Sequence, residues 1–309
     1  MVIFLFFGIK FNFAQTSDFK YFKTSYIMVP KTDSFYDVGE YTKSINFNLS
    51  QVDSTGKIIN PHNYVLAQDY ALLGNQDSAF YFLNKYVDGV PRDYRSIYVD
   101  QDFEPLKADE KRWNEIINKV EAIYITELDS TMNKELALRL FRMYPEIQKY
   151  GALSSVSFRR SEMPSSKEIA EVGIKYKSEL KKIINKYGFP TPSKVGHTAA
   201  DVAFYILHHS NIEDKYYRMV KDAYENGDYF PEHYALLTDR WLSQNGKKQL
   251  YGTQFRAQKR PDGKMGDYTL QPVDDFKNLN KRRAELGLPP IEDYAVQVKG
   301  TIPEEYYKE

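Results

Sequence analysis

The clearest hydrophobic pattern lies in the second half of the chain. Ile169, Val172, Tyr176, Leu180 and Ile183/Ile184 recur at helical spacing and predict one amphipathic helix over residues 166–187. The charges between them, as in KEIAEVGIKYKSELKKIINK from Lys167, form its solvated face. Gly188-Phe189-Pro190-Thr191-Pro192 then reads as a rigid turn. Further helices are expected at 196–210, 212–226 and 231–245, the last with Pro231 in its first turn and Gly246 just past its end. Residues 135–148 read as an earlier helix that Pro145 breaks or kinks. Residues 151–164 are Ser-rich, show no period and read as a loop or lid. Residues 251–273, with Pro261-Asp262-Gly263, read as a small β-hairpin or ordered loop, and 275–286 as a final helix. The expected fold class is mostly α.

Nearer the N-terminus the spacing is that of a helical hairpin. Small Ala67 and Ala79 let two antiparallel helices approach, while Tyr70 and Leu83 fill the space around that contact. Gly74 ends the first helix, Pro91 stops the second, and Asp77 is expected to cap the second. These offsets resemble one tetratricopeptide repeat. A fainter copy ends at 39–44, with Gly39 matching Gly74 and Ser44 matching Ala79, its first helix beginning after Pro30. Leu106, Trp113, Ile116, Ile117 and Val120 then give the apolar face of a helix like those that close such arrays. So few repeats fall short of the roughly three needed for independent stability, so the array is expected to lean on the domain that follows. Asp100, Asp102 and Glu104 alternate like calcium ligands, but Pro105 stands where that loop needs glycine. They are assigned instead to the start of the closing helix, where its dipole favours carboxylates.

At 309 residues there is room for two domains: tetratricopeptide-like helices over 16–125 and a helical domain over 126–300. Basic and acidic residues balance at 42 each, so no overall field favours nucleic acid or anionic lipid. Arg159-Arg160 and Lys281-Arg282-Arg283 are basic clusters too short for a nucleic-acid interface. The 26 Tyr and 19 Phe read first as core residues, with an aromatic-lined groove as the alternative. Cysteine is absent, which excludes disulfides, thiolate metal sites, Cys nucleophiles and lipoprotein anchoring, and is compatible with an oxidising envelope compartment. The apolar run from Val2 to Ile9, followed by Ala14, reads as a signal peptide over 1–14 whose basic leader lies upstream of Met1; a buried N-terminal strand is the alternative. The run falls far below the ~20 residues a bilayer demands, so no membrane span is expected. Export to the periplasm or outer surface of a bacterium follows as the expected location.

Candidate chemistry concentrates in 239–255, DRWLSQNGKKQLYGTQF. Asp239 and Arg240 lie on a helix that ends at Gly246, and Gln249, Tyr251, Thr253 and Gln254 follow. This polar segment either contacts a ligand or satisfies its own irregular backbone. On its helix, Tyr234, Leu237, Trp241 and Leu242 are expected to be buried, with Asp239 at the border and Arg240 pointing away. In the 196–210 helix, Val195, Ala199, Val202, Ile206 and His209 share one stripe, so His209 is predicted to point inward with Asp239 or Gln254 as its polar partner. His208 shares the polar stripe of His197, Asp201 and Tyr205 and should lie nearer solvent. His209 and Asp239 are thus candidate catalytic residues. Arg240, Gln249, Tyr251, Thr253 and Gln254 are candidate ligand contacts. The competing readings are a satisfied core histidine and an inter-helix salt bridge. His197 and His208 stand about three turns apart, too far to share one metal ion without a third element, and no metal or cofactor is expected. There is no H-E-x-x-H, G-x-S-x-G, Walker loop or G-x-G-x-x-G.

From about residue 127 to 294 the chain resembles an uncharacterised bacterial family, one of the domains of unknown function. Its members carry a G-W-P-T turn, a Q-H-A-D helix end, a D-R helix leading into Q-x-Y-G-T-Q, and a late R-R-x-x-L-G-L helix. Here the turn is Gly188-Phe189-Pro190-Thr191, and only His209 of the second motif is kept within His208-His209-Ser210-Asn211. Asp239-Arg240 and Gln249-Leu250-Tyr251-Gly252-Thr253-Gln254 match without gaps, and Arg282-Arg283 leads into Leu286-Gly287-Leu288. Of an upstream D-Q-x-x-R element only Gln148 remains, with Ile147 and Gly151 in place of the Asp and Arg. The resemblance implies a mostly helical domain, often attached to repeat-like helices in exported proteins. It implies no substrate, cofactor or mechanism. The expected function is a binding or scaffolding protein of the bacterial envelope, with a protein or peptide partner on the helical repeats. The alternative is a hydrolase with a polar cleft around His209, Asp239 and residues 251–254. A third possibility is a structural module without a ligand.

Overall fold

The computed structural model describes residues 34–89, 96–151, 166–259 and 265–308. The expected signal segment, Pro91, most of the 151–164 loop and the Pro261-Asp262-Gly263 turn lie outside these residues. The described residues divide into two compact units, 34–129 and 130–308.

In the first unit, α1 (Ser34–Asp37) and α2 (Tyr41–Leu49) precede a hairpin of α3 (Asn60–Leu72) and α4 (Gln76–Asp88). Ala67, Ala79 and Leu83 have no exposed surface, and Gly74, at φ 77°, ends α3 in the left-handed conformation. Tyr70 is stacked on Phe82 at 5.5 Å between ring centroids. Asn75, not Asp77, caps α4: its side chain accepts the Ser78 N–H at 3.1 Å. The helix begins earlier than its apolar pattern indicates, which leaves Asp77 in the first turn, paired with Arg112 at 2.6 Å. Ser44 and Asn48 of α2 are buried polar residues. Ser44 donates its O–H to Asp69 at 2.6 Å, and Asn48 Oδ1 lies 2.6 Å from His62 Nδ1. Beyond α5 (Ser96–Val99), Asp100 caps a 3-10 helix, Gln101–Ala108, and Asp109 caps α6 (Glu110–Glu127).

The second unit is built around α10. α7 (Lys134–Gly151) continues through Pro145, and α8 (Ser166–Tyr187) spans the predicted range. α9 (Pro192–Val195) and α10 (His197–His208) are separated by Gly196, at φ 77°. α11 (Asp214–Glu225) and α12 (Pro231–Gln244) follow. α10 touches α7, α8, α9 and α12, and every residue from Ala199 to His208 except Tyr205 is buried. A helix surrounded on all sides has no single buried stripe, so the wheel misplaces its histidines. His208 is buried, and His209, just past the last helical residue, is only half-buried.

The chain then forms β1 (Phe255–Lys259) and β2 (Met265–Leu270), an antiparallel pair with Phe255 opposite Leu270. A 3-10 turn (Phe276–Asn278), α13 (Leu279–Glu285) and α14 (Ile291–Gln297) follow, and β3 (Gly300–Thr301) returns parallel to β2. Leu270, Val273, Leu279, Ile291 and Tyr294 form the core of this region. The described fold is mostly α with one small three-stranded sheet. α14 and β3 carry no signal in the sequence, because each is too short for a period to develop.

Candidate functional site

The block from Asp239 to Gln254 is held by its own polar side chains. Asp239 has no exposed surface. Its Oδ1 accepts the N–H groups of Leu250 at 2.8 Å and Tyr251 at 3.0 Å, and its Oδ2 accepts that of Thr253 at 2.8 Å. Burial pushes this carboxyl up, and the backbone hydrogen bonds oppose the shift. Gln249 is equally enclosed. Its Nε2 donates to the carbonyls of Gln254 at 3.0 Å and Gln271 at 2.9 Å, while its Oε1 accepts the Gln254 N–H at 2.6 Å. Gly252, at φ 66°, lies against Leu279 and Ile291.

The late arginine pair closes the same knot. Arg282 donates to the Leu250 carbonyl at 2.8 Å and to the carbonyls of Asp274 and Asp275 at 2.6 and 3.0 Å. Arg283, almost wholly buried, donates to the carbonyls of Tyr251 at 2.5 Å and Pro289 at 2.6 Å. Three separated motifs of the sequence therefore form one hydrogen-bonded frame. Within it Asp239, Gln249 and Thr253 are buried, whereas Tyr251 and Gln254 are half-exposed. The frame leaves two of the sequence candidates on its surface.

Arg240 belongs to a second cluster. It is buried rather than pointing outward, and burial lowers its guanidinium to about 10. His208 and His209 both lie within its field. Burial and the Arg240 charge bring His209 down to about 4, and His208 is held well below the usual imidazole range by the same two causes and by its histidine neighbours. His233 of α12 is lowered to about 3 by burial. It stacks on Phe204 at 3.8 Å between ring centroids, and its Nδ1 lies 3.8 Å from Asp201 Oδ1. At neutral pH these imidazoles are uncharged hydrogen-bonding groups. The side-chain hydrogen bonds of Asp239 go to the N–H groups of Leu250, Tyr251 and Thr253, and Gln254 Nε2 donates to the Thr253 hydroxyl. Trp241 and Leu242, expected in the core, are half-buried; Trp241 stacks on Tyr217 at 4.1 Å and donates its indole N–H to Asp214 at 2.9 Å.

Glu232, like His233, is a titratable group that sequence reasoning missed. It lines a cavity of about 10 Å³ with Leu236, Thr253, Arg283, Leu288 and Tyr294. Burial and the charge of Asp201 raise its carboxyl to about 8, and Arg283 opposes the shift. A glutamate one residue after Pro231 looks like an ordinary first-turn carboxylate, so nothing in the sequence distinguishes it. The cavity holds no more than about one water molecule, too little for a substrate. Among the described residues no group of three or more His, Asp or Glu is arranged to hold a metal ion.

Residues 161–302 match the model of a family described as a family of unknown function, DUF6624, so this stretch carries an uncharacterised domain. No curated protein and no solved structure matches the chain.

Proposed function

We propose that this is an exported binding protein of the bacterial envelope rather than a hydrolase. The commitment of Asp239 carries this reading. Its hydrogen bonds go to the N–H groups of Leu250, Tyr251 and Thr253, which is how a carboxylate stiffens a loop. An acid–base partner of His209 would have to place an oxygen within hydrogen-bond reach of the imidazole. A loop stiffened in advance spends less conformational entropy when a ligand arrives, which favours affinity. Tyr251 and Gln254 are its accessible polar side chains. This pair suits a small polar ligand rich in hydrogen-bonding groups, and soluble peptidoglycan fragments have that chemistry. The N-terminal helices are assigned a protein or peptide partner on the same reading.

Calorimetric titration of the full chain with such fragments, with mass spectrometry of the same mixtures, tests the proposal. Saturable binding with unchanged fragments is expected, weakened in Tyr251→Ala and Gln254→Ala at unaltered melting temperature. Release of a cleaved product by the wild type, abolished in His209→Ala, would establish the hydrolase instead. Export is supported by the apolar run before Ala14. Protein recovered from its native host should then begin near Gln15. An intact Met1 on soluble cytosolic protein would overturn it.

A further inference from the structure

The first unit holds a carboxylate pair that the ligand-binding reading does not use. Gln68 of α3 donates from Nε2 to both members, at 2.8 Å to Asp100 Oδ2 and at 3.3 Å to Asp102 Oδ2. Tyr64 donates its O–H to the same Asp100 oxygen at 2.5 Å, and Tyr36 of α1 donates its O–H to Asp102. Gln68 is only 7% exposed, and its buried Oε1 has no hydrogen-bond partner among the described residues. Its amide therefore faces the carboxylates at the expense of its own acceptor, a sign that the contact is strong. Two full negative charges on one amide nitrogen, beside buried Phe103, repel each other.

Among the described residues no cation pairs with either carboxylate. Among the described residues, Arg112 of α6 faces Asp77 and Asp109, Lys107 of the 3-10 helix faces Glu104, and Lys119 of α6 faces Asp88 of α4. Lys85 of α4 lies over the Tyr81 ring. On α3, Asp69 takes the Ser44 hydroxyl and His62 faces Asn48.

We propose that Asp100 holds a proton beside the Asp102 carboxylate, and that this proton latches α1 and the 3-10 helix onto α3. The first unit is then closed in mildly acidic surroundings and loosens as pH rises. Burial of Asp100, reinforced by the Asp102 charge, raises its carboxyl from 3.8 to about 6. A raised acid binds its proton more tightly in the folded state, so the stabilisation is full below 3.8 and is lost as pH rises through about 6.

Hydrogen exchange of the full chain at about pH 5 and about pH 7.5, corrected for intrinsic rates, tests the latch. Peptides covering α1 and Gln101–Ala108 should exchange on the order of tenfold faster at the higher pH in the wild type. Asp100→Asn removes one charge and should keep those peptides slow at both values. Equal protection at both pH values in the wild type, or an Asp100→Asn variant with the wild-type pH dependence, would overturn the proposal. Carboxyl carbon-13 titration of the wild type decides independently of whether the variant folds. One aspartate titrating near 6, lost in Asp100→Asn, supports the proton on Asp100, and all aspartates titrating near 4 refute it.

Discussion

Asp239 shows how a charge can be removed from water without losing its interactions. Leu250, Tyr251 and Thr253 each direct an N–H at its carboxylate, and those donors offset the desolvation of the anion. Asn in this position would keep one acceptor and turn an NH2 group toward N–H donors. Asp239→Asn should therefore cost about 3 kcal/mol or more, read by urea unfolding. Gly252 carries a separate constraint. A Cβ there would lie 3.1 Å from Ile291 and 3.2 Å from Leu279, and its φ is left-handed. Gly246 has a similar φ of 69°, with nothing within 4 Å of its Cβ position. Gly246→Ala should thus lose only about 1 kcal/mol from backbone strain. Gly252→Ala should lose about 1–3 kcal/mol more through crowding. Equal melting temperatures for the two variants would mean that the loop does not rest on α13 and α14.

For the helices, close approach decides stability. Ala79 has no exposed surface where α4 packs on α3, so Ala79→Phe has no space to enter. A loss of about 1–3 kcal/mol or more is expected, seen as a lower melting temperature. A neutral outcome would place this contact open to solvent. The α11–α12 hairpin is held differently: Tyr217 stacks on Trp241 and Tyr224 on Tyr234, both at 4.1 Å. These pairs recur seven residues apart on each helix, about two turns, so they share one face. The extents of α8 and α12 were legible because periodicity, Pro231 and Gly246 act over a few residues. The cap of α4 was not, because Asn75 and Asp77 are both good capping residues and the helix starts directly after the earlier of the two.

Across the whole molecule, titration should distinguish the units. His209 and His233 are lowered to about 4 and about 3, and His208 is lowered well below the usual imidazole range, in each case chiefly by burial. For a base with a lowered folded pKa the unfolded chain takes up the proton first, so stability is lost as pH falls from 6.5 toward those values. Glu232 acts in the opposite sense: its carboxyl is raised from 4.5 to about 8, so its contribution is lost as pH rises through that window. The unit from Ser130 onward should therefore be most stable near neutrality and decline on both sides, with three histidines outweighing one glutamate on the acid limb. Melting temperature against pH should show this optimum. Glu232→Gln should flatten the alkaline limb and leave the acid limb in place. A wild-type optimum near pH 4 would contradict the burial of the histidines.

The sequence by itself determined that the chain is mostly helical, where α8, α11 and α12 run, and that residues 239–255 form a special polar block. Those properties depend on neighbours within one or two turns, and local spacing reports them. Only the tertiary structure decided what the polar side chains do. Asp239 meets partners eleven to fourteen residues away, Gln249 reaches Gln271, and Arg282 and Arg283 reach back to Leu250 and Tyr251. Such partners leave no periodic trace. The exchange of roles between His208 and His209 has the same origin. α10 is enclosed by α7, α8, α9 and α12, so the surrounding helices, and not its own pattern of polar residues, set which histidine is buried.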